Sequence, residues 1–168
     1  QGLQNTTSQE PLLDVIHAFP GNGKSRIISW MQQLMEEGLG WRRGVQFVCL
    51  AFQNAMAAQI SGNTIHHWSG IPARGSDGGS TGDRHKQSIK CQALRVVIID
   101  ELSMISAELP GAFEYVIKNA VRVKGTYKKR SNRRGASGDG SNSTRIFGGV
   151  NVIMCVWTGG SYNQLQEF

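Results

Sequence analysis

Long apolar runs are missing from this chain of 168 residues. None approaches the roughly 18 residues that a membrane span needs, so no membrane role is expected. No basic, apolar and small-residue leader follows Gln1, and no secretory signal is read. A chain that opens without Met is expected to be a fragment. Cysteine is scarce: Cys49, Cys91 and Cys155 form no CxxC pair, and Cys49 and Cys155 sit inside apolar runs. They read as core thiols of a reducing, intracellular compartment, against the weaker alternative of one disulfide and a leftover. No His/Cys spacing suits zinc, and no internal repeat is found. The length allows one domain with a buried core and is too short for two ordinary ones.

Glycine, by contrast, is abundant, at 21 of 168 residues, against a usual share of ~7%. That favours many turns over a coiled coil. The net charge of +6 is unevenly placed: residues 118–145 carry nine Lys/Arg against Asp139 alone. A local basic block of this kind suggests a polyanionic partner, its plain alternative being a solvated loop.

Four short runs rich in Val, Ile and Leu, at residues 12–17, 45–51, 95–100 and 150–156, predict strands of a parallel sheet covered on both faces. Between the first two, Ile27, Ile28, Met31, Leu34 and Met35 recur at helical spacing, and Gly38 stands at a terminator position. A second helix is predicted from Ser106 as N-cap to about Val123, with Pro110 in its first turn. Strands alternating with helices imply right-handed crossovers and an α/β fold. Residues 72–86 and 124–144, rich in Gly and Ser, are expected to be loops.

The segment Ala18-Phe19-Pro20-Gly21-Asn22-Gly23-Lys24-Ser25 follows the first strand and opens the first helix. Apart from Ala18 in place of the first glycine, it has the GxxxxGK[ST] pattern of a phosphate-binding loop. Gly21 and Gly23 allow positive φ, so that backbone N–H groups can converge on phosphate oxygens. The helix N-terminus adds its positive dipole end. Lys24 supplies a point charge for β and γ phosphates, and the Ser25 hydroxyl is placed for Mg²⁺. An ordinary strand-to-helix turn is the plain alternative; the strand before and the helix after favour the phosphate loop.

Residues 96–101, Val-Val-Ile-Ile-Asp-Glu, form an apolar strand ending in two carboxylates. Asp100 would meet Mg²⁺, and the neighbouring acid could polarise an attacking water. In the middle of the chain, Thr64-Ile65-His66-His67-Trp68 gathers a hydroxyl, two imidazoles and an indole. Such side chains can bond phosphate oxygens and stack on bases without sequence choice. Core packing of Trp68 and structural histidines are equally open on these residues alone.

Taken together, FPGNGKS, AFQNAMAAQISGNTIHHWSGIP, VVIIDELSMIS and FGGVNVI stand in the order found in PIF-type (petite integration frequency) DNA helicases. The chain resembles this family from about Leu12 to Gln164, most of all the variants of Helitron-like mobile elements. The resemblance implies a P-loop NTPase with a RecA-like parallel sheet and helices on both faces. It implies ATP and Mg²⁺ as cofactors, and hydrolysis coupled to 5′-to-3′ translocation on single-stranded DNA, with roles in repair, recombination and telomere maintenance. By that likeness Pro20, Gly21, Asn22, Gly23, Lys24 and Ser25 hold the nucleotide, and Ser25 and Asp100 hold the metal. Glu101 is the catalytic base, and Gln164 senses the γ-phosphate. Gln53, Asn54, Thr64, Ile65 and His66 touch DNA. The family's GDxxQLPP motif is altered here: Ser161 occupies the Asp slot, the prolines are absent, and the spacing from Phe147 is a few residues long.

The expected organisation is an extension over residues 1–11 and a truncated first RecA-like domain over residues 12–168. The missing second RecA-like domain would be a partner in the full-length protein, and the fragment alone is expected to be inactive as a motor. The family likeness implies a nuclear or mitochondrial location. Three alternatives stay open: an unrelated phosphate-loop ATPase or kinase, a non-catalytic nucleic-acid-binding module, and a degenerate mobile-element remnant.

Overall fold

The structure is a computed structural model and describes residues 11–19, 21–71, 81–102, 108–123, 126–127 and 146–157. Its centre is an all-parallel sheet of five strands: β1 (Leu13–Ala18), β2 (Phe47–Ala51), β3 (Asn63–Thr64), β4 (Val96–Asp100) and β7 (Asn151–Trp157). They lie in the order β1-β7-β4-β2-β3. The last strand thus enters between the first and the fourth. The expected parallel α/β fold is present, and each of the four predicted strands is found with no end displaced by more than two residues.

Alternating strand residues divide the interior into two layers, as side chains of a pleated strand must. Phe47, Cys49, Val96, Ile98 and Cys155 face one layer, where they pack with Ile28 and Met35 of α1 (Lys24–Gln33) and the turn after it. Val48, Leu50, Val97, Ile99 and Val152 face the other. That layer is covered by α3 (Ile65–Ser69), α4 (Thr81–Gln92) and α5 (Glu108–Ala120), through Ile65, Trp68, Cys91, Phe113 and Ile117. All three cysteines are buried and free, which removes the disulfide alternative.

Three expectations need correction. Residues 81–86 are the start of α4 and not part of a loop. This helix is too polar to announce itself, yet buried Gln87 donates its amide N–H to the Trp68 carbonyl at 2.6 Å, tying it to α3. Helix α5 stops at Ala120 rather than Val123: β5 (Arg122–Val123) pairs antiparallel with β6 (Thr126–Tyr127), inside the loop expected over residues 124–144. The remainder of that loop, residues 72–80 of the other, and Ser106 lie outside the described residues.

Helix α1 continues through a π-helical turn at Leu34–Gly38 and ends where Gly38 foretold. Its inward face is largely the one that periodicity predicts, through Ile27, Ile28, Met31 and Met35, with one exchange. Ile28, Gln32 and Met35 are buried, whereas Leu34 is 62% exposed. Gln32 is satisfied in the core, donating to the Ile60 carbonyl at 2.7 Å and to Cys49 Sγ at 3.0 Å. No helix among the described residues is long and apolar enough to cross a membrane.

Candidate nucleotide site

Because the strands are parallel, every one of them delivers its C-terminal end to the same edge of the sheet. Ala18 pairs with Trp157, Ala51 with both Asp100 and Thr64, and Ile99 with Met154. The segments leaving those ends therefore share that edge: residues 19 and 21–25 from β1, Phe52, Gln53 and Asn54 from β2, and Glu101 from β4. Residues 64–66, at the end of β3, lie there too. Open α/β sheets bind their ligands at this edge.

The loop after β1 has the backbone its sequence requires. Gly21 and Gly23 have φ of +78° and +82°, a left-handed conformation that L side chains enter only at a cost. Gly23 is the N-cap of α1 and has no side chain to cap with. Its carbonyl accepts from the N–H groups of Arg26 and Ile27 at 2.9 and 3.0 Å. A Cβ built on Gly21 or Gly23 would meet nothing within 4 Å. The glycines are thus needed for their torsions, and the space beside them is open. Lys24 is buried and Ser25 exposed.

The acid pair is built on opposite principles. Asp100 is 5% exposed, one residue beyond the Ile99–Met154 pair and so level with Cys155 on β7. Burial raises its pKa, opposed by the Glu101 N–H that donates to Oδ1 at 3.1 Å and by the charge of Lys24. The charge of Lys24 is therefore felt at Asp100. Glu101 has φ of +59°, an uncommon setting for a non-glycine residue that costs about 1–3 kcal/mol. This kink turns the chain at the strand end, where Glu101 is half-buried. Beneath the site, burial and then the charge of Asp100 push the Cys155 thiol up to about 12. Cys155 stays a neutral thiol and brings no nucleophile to this edge.

The middle segment divides clearly. Ile65 and Trp68 are core residues, so Ile65 offers a ligand only its backbone, and the open question about Trp68 is answered by packing. Thr64 caps α3, its hydroxyl accepting from the His67 N–H at 3.2 Å. His66 is half-buried, with its ring 5.9 Å from that of Phe52. Gln53 and Asn54 are exposed at the start of α2 (Asn54–Gln59). Phe52 was missed by the sequence reading, which had no reason to single out an aromatic directly after a strand. Pro20 and Gln164 lie outside the described residues. Lys118, counted in the basic block, is paired with Glu114 at 2.6 Å, which takes one cation from that block's free charge.

A parallel sheet with helices on both faces, a left-handed glycine loop opening a helix, and a buried aspartate two strands away define a P-loop NTPase of RecA-like fold. The chain belongs to the AAA domain family, whose model matches residues 1–124. Among curated proteins no match is found. Several solved structures share the fold. Pif1 from Bacteroides bound to ssDNA superposes with a TM-score of 0.56 at 18% identity, over 89% of this chain and 29% of that one. The same helicase with ADP-AlF3 and ssDNA gives 0.56 at 20%, over 88% and 28%. Pif1 helicase from Candida albicans gives 0.57 at 22%, over 86% and 28%. The chain thus spans less than a third of the length of these neighbours.

Proposed function

We propose that this chain is the first RecA-like domain of a PIF-type DNA helicase, binding ATP with Mg²⁺ and coupling its hydrolysis to movement on single-stranded DNA. The observation that carries the reading is the gathering at one sheet edge of a glycine loop, a buried acid and a polar segment, in the order of the family's motifs. Solved neighbours of the same fold have been captured with ADP-AlF3 and with ssDNA.

The residues present fit the nucleotide and its metal. The first turn of α1 would offer its backbone N–H groups and the helix dipole to an anion, and Lys24 would add a full charge. Among the described residues no group of three His, Cys, Asp or Glu could hold a metal ion. That suits Mg²⁺, which is commonly held by one or two protein oxygens, substrate phosphates and water. Ser25 and Asp100 would be those protein ligands, and the ion would supply neutralisation of phosphate charge. Glu101, turned at the end of β4, would orient a water and accept its proton. Gln53, Asn54, Thr64, the backbone at Ile65, and His66 form the DNA side of the same edge. Their mixture of amide, hydroxyl and imidazole groups, with Phe52 beside His66, suits a sequence-indifferent hold on a strand.

Motors of this kind place ATP between two RecA-like domains, and arginines from the second are worth roughly 10³–10⁵ in rate. The chain on its own should therefore bind nucleotide and split it slowly. A phosphate-release assay with and without single-stranded DNA, on wild type and Glu101→Gln, tests this. Slow release in both is expected. Strong DNA stimulation in the wild type, lost in the variant, would show that this domain is sufficient. Binding of a fluorescent oligothymidine provides the second arm: Gln53→Ala with His66→Ala should weaken it, and unchanged affinity would remove that edge from the DNA path.

A further inference from the structure

Strand β1 has a neighbour on one side: among the described residues it pairs with β7 and with no other strand. The register decides which backbone groups are spent. The Leu12 carbonyl accepts from the Val152 N–H at 2.8 Å, and Leu13 stands level with Val152. Residues 14, 16 and 18 therefore turn their amides to β7, while Leu13, Val15 and His17 turn theirs to the free edge. One of those outward groups is already occupied. The Val15 N–H donates to Oδ1 of Asp14 at 2.8 Å, so a carboxylate is folded across the middle of the edge. Apolar side chains stand exposed at both ends of it: Leu12 and Leu13 at 50% and 45%, and Phe19, just past the strand, at 63%.

An exposed edge is a template for another strand, and a charge lying on it is a common guard against pairing. The outward groups of β1 are arranged symmetrically about Val15, so an antiparallel strand of the same sequence meets every one of them. Leu13 then pairs with His17 of the second copy, Val15 with Val15, and His17 with Leu13. Antiparallel running also brings the leucines at the start of one strand beside the Phe19 that follows the other. We propose that β1 is the seam on which two copies of this chain join, antiparallel about Val15, with the Asp14 carboxylate restraining the union. The restraint has two parts. The carboxylate occupies the Val15 N–H that the seam needs, and it meets a like charge, since the Asp14 residues of the two copies lie diagonally across from each other. The seam closes on itself by two-fold symmetry and stops at two copies. It is short, so it holds weakly.

Sedimentation velocity over a concentration series reads the association. The wild-type chain should pass from monomer to dimer as concentration rises. Asp14→Asn, which lifts the repulsion but keeps an oxygen for the Val15 N–H, should tighten the dimer modestly. Asp14→Ala, which removes both restraints, should tighten it roughly tenfold, the order expected when two hydrogen bonds are freed for the seam. Val15→Pro deletes an N–H that faces outward, a place where an edge strand tolerates proline, and should leave a folded monomer at every concentration. Leu13→Lys puts a cation on the edge and should give the same result without touching the backbone. Circular dichroism melts check that each variant is folded. Dimers that persist in folded Val15→Pro and Leu13→Lys would move the contact to another surface and overturn the seam. A wild type and an Asp14→Ala variant that both stay monomeric would overturn it too, leaving the edge to a strand of other sequence.

Discussion

The two halves of the candidate site reach the same edge by opposite means. The loop after β1 is open, glycine-rich and exposed, with empty space where side chains would stand. The corner after β4 is packed, with Asp100 buried against its own burial penalty and Glu101 in a left-handed conformation that glycine would adopt more readily. A loop that must envelop an anion needs backbone donors and room. A carboxylate that must meet a metal needs a fixed position and little water. One half gives up side chains, and the other gives up stability.

The sharpest way to separate the halves is through ligand-linked stability. Lys24→Ala removes the cation of the open half and should abolish nucleotide-dependent stabilisation. That stabilisation is about 2.7 kcal/mol when free ligand stands at a hundredfold excess over Kd. Thermal melts with and without Mg-ATP read it directly. Equal shifts in wild type and variant would mean that the loop is not where nucleotide binds.

A smaller effect tests whether the loop's glycines serve torsion and not space. With φ of +82° at Gly23 and nothing within 4 Å of a built Cβ, Gly23→Ala should cost about 1–2 kcal/mol from the left-handed backbone alone. Gly23→Asn should cost less, since Asn tolerates that region better. Similar losses for Ala and Asn would point to a clash rather than a torsion. At Gly62 the cause is different: a Cβ there would lie 2.3 Å from the Cys49 carbonyl oxygen, so neither residue should be tolerated.

The open half was the more legible in sequence. A glycine spacing records a backbone conformation closely, and Gly21 and Gly23 have the positive φ their pattern required. The strands were legible because continuous Val, Ile and Leu leave few other homes. What was hidden depends on tertiary context. Helix α4 buries Gln87 and Cys91 under a polar exterior, so its twelve residues lack an apolar stripe. Leu34 belonged to the predicted inward face yet points outward, because buried Gln32 takes a place beside Cys49 and the turn widens after Gln33. The burial of Asp100 and the twist at Glu101 could not be read, since two adjacent acids look the same whether packed or solvated. The ring of Phe52 beside His66 likewise exists only once β2 and β3 are paired.

The smallest effect is recognised by its sign. Burial raises the pKa of Asp100 above its ordinary value of 3.8, despite the opposing Glu101 N–H and Lys24. Between those two values the folded chain holds more of this proton than the unfolded chain does. Stability from this residue therefore falls as pH rises through the window, and above it the ionised form carries the full penalty. Asp100→Asn keeps the shape without the charge, so the ligand-free variant should melt higher than wild type at neutral pH. The advantage should shrink as pH drops through the raised pKa and be lost near 3.8, where the aspartate is itself neutralised in both states. A melt series against pH on the two proteins isolates the term, because every other titrating group is shared. A variant less stable at pH 7 would mean that attraction to Lys24 outweighs burial, and that the packed half of the site is held together by its charges rather than in spite of them.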